Sequence, residues 1–380
     1  MRILMPTARF LPETGGIETH VYQVAMGLAR RGHQVTVLTT DRTGGSRTVS
    51  EMDGFKVVRV PARPRNMDYY WAPAMYSEVR DGDWQLVHVQ GCHTFVPILA
   101  MVGAIRSGKK FIVTFHSGGH SSWFRKNIRR TQWALLRPLF CRAERLIGVS
   151  RYEARSFSHS LRISPHRFNV IYNGAEMPNA NRSDLPKLKL IASVGRLEKY
   201  KGHQRILRAM PALLERDPDF SLHIVGDGPY KSELQRLVVK LKLEHCVKIA
   251  GLPSSCRLEM ANIFSTSAVV VLLSEYEAHP IAVMEALSCG ARVLVSHTTG
   301  LADLVEDGLV TSVDINASDE IVADRVWETI KRPHIVQIPK LPTWENCIDA
   351  LVSNYRSILE PVETNEAPRV RRPDSTEAFS

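Results

Sequence analysis

Glu277 and Glu285 stand eight positions apart in the run Ser274-Glu275-Tyr276-Glu277-Ala278-His279-Pro280-Ile281-Ala282-Val283-Met284-Glu285. An apolar strand, residues 268–273, precedes the run, and a helix ends it. One carboxylate therefore belongs to a strand-to-helix loop and the other to the second turn of the helix. In open α/β sheets, ligands bind at such carboxyl-terminal strand ends. Two acids there suit a polyol, because each carboxylate oxygen can accept from a hydroxyl.

Arg196 and Lys201 supply the opposite charge in Gly195-Arg196-Leu197-Glu198-Lys199-Tyr200-Lys201-Gly202, just after another strand. Two cations at a strand end, flanked by glycines, can clamp a diphosphate. Charge that develops on a departing nucleotide would meet fixed positive charge there. The spacing is not that of a Walker A loop, and no Ser or Thr follows the lysine. Near the start of the chain, Gly15 and Gly16 sit between the first strand and a helix. Paired glycines let backbone approach a ligand closely, and a helix amino end favours an anion. The spacing is not G-x-G-x-x-G. His116 ends the apolar strand residues 111–115 and is expected to face the crevice rather than the core. Two D-x-D triplets, Asp81–Asp83 and Asp217–Asp219, precede strands rather than follow them. They lie at the wrong sheet edge for the crevice and read as turns. No bound divalent metal is expected.

Taken together, G-R-L-x-x-x-K-G and E-x7-E resemble the signatures of retaining glycosyltransferase family four, whose GT-B architecture has two Rossmann-like domains facing across a cleft. The resemblance runs from about Arg2 to Tyr355. It implies that Glu285 takes ribose hydroxyls, Arg196 and Lys201 the diphosphate, and Glu277 the donor sugar near its reacting carbon. Ile281 joins the donor set. Gly228, in the Gly226-Asp227-Gly228-Pro229 turn, shapes the nucleotide pocket, and Leu252 lies near the base. His116, Gly15 and Gly16 approach from the first domain. Family members commonly have E-G-F-G-L-P where this chain has Glu277-Ala278-His279-Pro280-Ile281-Ala282. Pro280 has no N–H, so His279 is a candidate substitute donor. The acid that often follows the family's histidine is Ser117 here, and its role is not carried over. The implied activity is transfer of a sugar from a nucleotide diphosphate sugar to an acceptor hydroxyl, with retention, in polysaccharide or lipid-linked glycan synthesis.

Composition fits. The chain has 380 residues, 44% hydrophobic and 23% charged, enough for two globular domains. No run approaches the ~20 apolar residues of a membrane span, and residues 94–105 read as a buried helix. The amino terminus lacks a signal-peptide pattern. Six scattered cysteines without C-x-x-C argue against zinc or redox motifs, and reduced thiols in a cytosolic protein are expected. Residues 1–180 hold 25 Lys and Arg against 12 Asp and Glu; the rest holds 24 against 27. The basic first half suits anionic lipid or a diphosphate-bearing acceptor. Nothing resembles a nucleic-acid module. Residues 122–137 mix aromatic and basic side chains at helical spacing, with Pro138 expected to kink or stop the helix. Such a segment can lie on a membrane surface at the inner face. Tyr69-Tyr70-Trp71 is a weaker aromatic cluster, placed at the acceptor mouth.

Strands and helices alternate throughout, the pattern of parallel sheets covered on both faces. The series restarts after the polar stretch 173–186, a linker by composition. The expected domains are residues 1–178 with a crossover helix at 344–360, and residues 189–343. Residues 361–380 are polar and expected to be disordered. Three other classes share parts of this pattern. A nicotinamide-dependent oxidoreductase would need G-x-G-x-x-G after a strand. A phosphorylase of the same architecture would need a cofactor-bearing lysine. A non-catalytic nucleotide-sugar-binding protein would bind without turnover.

Overall fold

The computed structural model describes residues 1–360 except 14, 44, 66–69, 118–122, 179–187, 254 and 333–340, with backbone alone for 123–131. Tyr69, most of the basic-aromatic segment's side chains, half of the linker and residues 361–380 thus lie outside the described residues.

The chain forms two sheets. The first uses β1 (Arg2–Pro6), β2 (Gln34–Asp41), β3 (Thr48–Met52), β4 (Phe55–Pro61), β5 (Leu86–Gln90), β6 (Phe111–Thr114), β7 (Arg145–Gly148) and β8 (Phe168–Val170). Their order is β3-β4-β2-β1-β5-β6-β7-β8, parallel apart from the β3–β4 hairpin. The second uses β9 (Leu188–Val194), β10 (Ser221–Val225), β11 (Val247–Ala250), β12 (Ser267–Leu272), β13 (Val293–Ser296) and β14 (Thr311–Val313), in the order β11-β10-β9-β12-β13-β14. In each sheet the order reverses beside the first strand, opening a crevice at the carboxyl ends.

Helices cover both faces. In the first half they are α1 (Gly16–Arg30), α2 (Ala74–Asp81), α3 (Phe95–Arg106), α4 (Trp123–Cys141) and α5 (Arg151–Leu161). In the second they are α6 (His203–Arg216), α7 (Lys231–Lys240), α8 (Arg257–Thr266), α9 (Ile281–Ser288), α10 (Thr299–Glu306) and α11 (Asp319–Lys331). A last helix, α12 (Trp344–Leu359), starts in a capping box between Thr343 and Asn346. It returns to the first sheet. Its Ile348, Leu351 and Tyr355 bury against Val21, Val24 and Leu28 of α1, side chains set along one face by the helical period.

At Pro138, where a kink or a stop was expected, α4 does not stop but runs on to Cys141; a proline removes one intrahelical bond, and Phe140 just beyond it is buried in the core cluster. The β3–β4 hairpin was not expected from sequence, though it carried a signal. Asp53-Gly54 turns between paired Met52 and Phe55, with φ of 45° and 87°, the two positive values a tight hairpin turn requires.

Candidate functional site

Lys201 ends a 3-10 turn, Lys199–Lys201, and Gly202 follows at φ 76°. A Cβ on Gly202 would stand 2.0 Å from the Leu273 carbonyl oxygen, so only glycine lets this turn press on the end of β12. The press delivers Lys201 to the glutamate loop. Its Nζ lies 2.6 Å from Glu277 Oε1, with side-chain exposures of 17% and 11%. Ser274 Oγ donates to the same oxygen at 2.7 Å. Glu275 N–H donates to the Tyr200 carbonyl at 2.8 Å, and the Tyr200 and Tyr276 rings stack at 4.5 Å. Two loops 76 residues apart are thus welded into one wall.

His203 fixes the turn from beneath. It is fully buried, with Nδ1 2.8 Å from Ser193 Oγ and Nε2 3.3 Å from the Arg196 carbonyl oxygen. Arg196 itself is half exposed and pairs with Glu198 at 3.3 Å. It does not join the Lys201–Glu277 pair. Its charge instead reaches Glu18 on α1 in the first domain, where burial raises the carboxyl pKa and Arg196 is among the groups that lower it.

Glu285 is 9% exposed. Burial raises its pKa, opposed by Arg257, whose Nη1 lies 2.6 Å from Glu285 Oε1. The other Arg257 arm donates to the Glu176 carbonyl at 2.8 Å. A ribose arriving at Glu285 must share this carboxylate with Arg257 or displace it. Sequence reasoning missed Arg257, because a lone arginine opening α8 carries no motif.

The loop of Gly15 and Gly16 opens α1 as expected, but the anion at this helix end belongs to the chain. A Cβ on Gly15 would stand 2.5 Å from Glu18 Oε2, so the Glu18 side chain folds back over the first turn. A charged ligand at this end meets that carboxyl. Ile281 opens α9 and packs on the apolar cluster of the first domain, so what it can offer a ligand is its backbone N–H, outside the intrahelical ladder. Leu252 packs on the edge of the second domain's core. Gly228, at φ 157°, lies in the loop after β10.

Histidines gather where the domains meet. His116 is half-buried at the end of β6. Its Nε2 lies 2.8 Å from Gln90 Oε1, and its ring meets His20 of α1 edge-on at 4.7 Å. His20 Nδ1 lies 2.8 Å from Asn173 Oδ1, and Asn173 Nδ2 donates across the seam to the His279 carbonyl at 3.2 Å. Burial lowers the pKa of His20 and of His279 to about 4 and that of His116 well below the usual range. All three stand as neutral imidazoles at neutral pH. His20 Nε2, His279 Nδ1 and Gln90 Nε2 are buried without a hydrogen-bond partner. Neutral donors and acceptors of this kind match sugar hydroxyls better than a phosphate. Only His116 and His279 stood out in the sequence.

The D-x-D triplets are ion-paired away from this crevice. Asp217 and Asp219 share Lys189 at 3.0 and 2.8 Å, and Asp81 and Asp83 pair with Arg80 and Arg2 at 2.6 and 3.1 Å. A cavity of about 640 Å³ lined by Arg31, His33, Asp349 and Arg356 lies at the amino edge of the first sheet. That is the wrong edge for a crevice ligand.

Family comparisons agree with this geometry. Glycosyltransferase Family 4 matches residues 14–177, and Glycosyl transferases group 1 matches residues 179–334. A GDP-mannose:cellobiosyl-diphosphopolyprenol alpha-mannosyltransferase of Xanthomonas oryzae is 25% identical, over 97% of this chain and all of that one. A GDP-mannose-dependent alpha-(1-6)-phosphatidylinositol monomannoside mannosyltransferase of Mycolicibacterium smegmatis is 27% identical, over 85% of this chain and 88% of that one. Among solved structures, Anabaena HepE in complex with UDP and glucose superposes with a TM-score of 0.74 at 17% identity, covering 94% of this chain and all of that one. The architecture is therefore GT-B.

Proposed function

Since the chain belongs to glycosyltransferase family four, and is a retaining glycosyltransferase of nucleotide sugars, we propose that it moves mannose from GDP-mannose to a hydroxyl of a lipid-linked glycan. One observation carries the assignment of the site. Glu277 and Glu285 lie on the loop and helix that follow a single strand, β12, and each is paired with a cation from another segment, Lys201 from the turn after β9 and Arg257 from the start of α8. Two mannosyltransferase relatives support this donor, and the polyprenol and phosphatidylinositol in their names support this acceptor.

In this reading Glu285 holds the ribose, and Lys201 and Arg196 hold the diphosphate. Glu277 orients the sugar, and His116 and the Gly15–Gly16 loop close from the first domain. Lys201 meets the charge that grows on the departing diphosphate, so no divalent cation is assigned to the step. The departing phosphate oxygen takes the acceptor's proton, which leaves no enzymic base to find. Closure over the donor excludes water and limits hydrolysis.

A thermal-shift screen against UDP, GDP, ADP and their sugars, run in EDTA, tests the reading. Ligand at 100 times its Kd stabilises the native state by about 2.7 kcal/mol, worth roughly 5–10 °C here. GDP and GDP-mannose should give that shift, and Glu285→Ala should erase it. A full shift retained in Glu285→Ala would place the nucleotide elsewhere.

No helix of the described residues is long and apolar enough to cross a membrane. A lipid-linked acceptor must then be met at a surface, and we assign that contact to the basic first domain, at the cytosolic face. The protein should float with vesicles containing about 30% anionic lipid and release as salt rises, since charges beyond ~10 Å are screened at 0.1 M. Equal flotation with neutral vesicles would end the assignment.

A further inference from the structure

Helix α10 joins the glutamate loop to the other domain, and its two ends are built differently. At its start Thr299 has φ 43°. A β-branched residue in the left-handed region is an outlier that persists only where its surroundings enforce it. Here Thr299 Oγ1 accepts the Glu277 N–H at 2.8 Å. Gly300 N–H donates to the Glu277 carbonyl at 2.9 Å, and Thr298 Oγ1 donates to the Glu275 carbonyl at 3.1 Å. A Cβ on Gly300 would lie 1.8 Å from the Ala278 oxygen. The backbone that carries Glu277 is pinned on both sides to the first turn of α10.

Farther along, α10 grips the first domain. Asp303 is 2% exposed, yet its partners come from α5. Its Oδ2 accepts the Tyr152 N–H at 2.8 Å, satisfying a first-turn donor that α5 leaves open, and its Oδ1 pairs with Arg155 at 3.2 Å. Arg151 spans Asp307 with both arms at 3.1 and 2.9 Å and also donates to the Asp303 carbonyl at 3.1 Å. Glu306 and the Tyr172 hydroxyl complete its surroundings at 3.6 and 3.3 Å.

The same first turn of α5 holds the first domain's half of the site. The Glu153 carboxyl accepts from the Ser117 N–H, next to His116, and from the Val149 N–H at 2.8 Å. A short path thus runs from His116's loop through Glu153, along the first turn of α5 to Arg151, across hydrogen bonds to Asp303, and back along α10 to Glu277's loop.

We propose that Arg151 and Asp303 are positioning residues for transfer: by clamping α10 to α5 they set the spacing between the His116 loop and Glu277. This rests on Glu277 acting at the donor sugar, as argued above. Neither residue belongs to a motif that sequence reading singled out, and neither touches the Lys201–Glu277 pair.

Amide hydrogen exchange reads the clamp without needing activity. In Arg151→Ala, peptides spanning 275–278 and 299–301 should exchange at least 10-fold faster, while β10 keeps its wild-type rate. Asp307→Asn, which weakens only the two-armed contact, should move the same peptides in the same direction, and Arg151→Lys should restore part of the protection. Kinetically, Arg151→Ala should lower kcat about 10-fold and change the Kd for free nucleotide diphosphate less than twofold. Exchange at 275–278 within twofold of wild type would overturn the proposal, as would equal loss of kcat and nucleotide binding. A wild-type protein that answers to no nucleotide would sink the functional reading instead, and the exchange data would still decide the clamp.

Discussion

Lys201→Ala is expected to lower kcat/KM for sugar transfer by 10²–10³-fold, with the fold retained. Two losses combine. The lysine is the cation held against the glutamate wall, 2.6 Å from Glu277 Oε1 and only 17% exposed. Removing one preorganised group that meets developing charge costs about 2.7–4 kcal/mol of transition-state stabilisation. The substitution also leaves Glu277, 11% exposed, facing Ser274 Oγ alone. A mostly buried carboxylate stripped of its cation loses the contact that holds it and swings toward water, which spoils its reach to a sugar hydroxyl. Lys201→Arg should recover little, because the welded loops leave no room for a wider, planar head group. Steady-state kinetics beside a circular-dichroism melt would test this. A variant within threefold of wild type in kcat/KM would remove Lys201 from the diphosphate site.

Acid should unfold this protein well before its surface carboxylates titrate. Burial holds His20, His203 and His279 at about 4 and His88 at about 3, against an ordinary value of 6.5. Each is neutral when folded and takes a proton when unfolded below pH 6.5. Their stabilising contribution is present above 6.5 and is lost as pH falls toward 4, at about 1.4 kcal/mol per group for each pH unit. Glu153 opposes them. Burial raises its pKa to about 8, so its contribution is full below 4.5 and is lost as pH rises through 8. Summed over these five groups, the net loss is on the order of 5 kcal/mol between pH 7.5 and 5, comparable to the whole stability of an ordinary domain. The melting temperature should fall by roughly 10 °C or more over that range. A melt that moves less than 2 °C would show that these imidazoles reach solvent in the folded state.

The sequence determined what is written locally. The alternation of strand and helix is a matter of side-chain period, and the runs 195–202 and 277–285 keep their chemistry inside single loops, where spacing and type can be read directly. The Asp53-Gly54 hairpin was equally local, since two positive φ values need such residues, but its signal went unread. What only the tertiary structure decided is who meets whom. That Lys201 pairs with Glu277 while Arg196 stays half exposed beside Glu198 is set by tertiary contacts, with Gly202 seated on Leu273, a contact between segments about 70 residues apart. That Glu285 is shared with Arg257, that Glu18 covers its own helix end, and that His20 is buried at the seam depend on packing between elements distant in the chain. The α5–α10 clamp is the extreme case. Arg151 and Asp303 are ordinary helix residues by type and spacing, and only the docking of two domains turns a surface arginine and a buried aspartate into partners. Long-range pairing leaves no period in a single sequence, because the partner's position is set by the whole fold rather than by its neighbours.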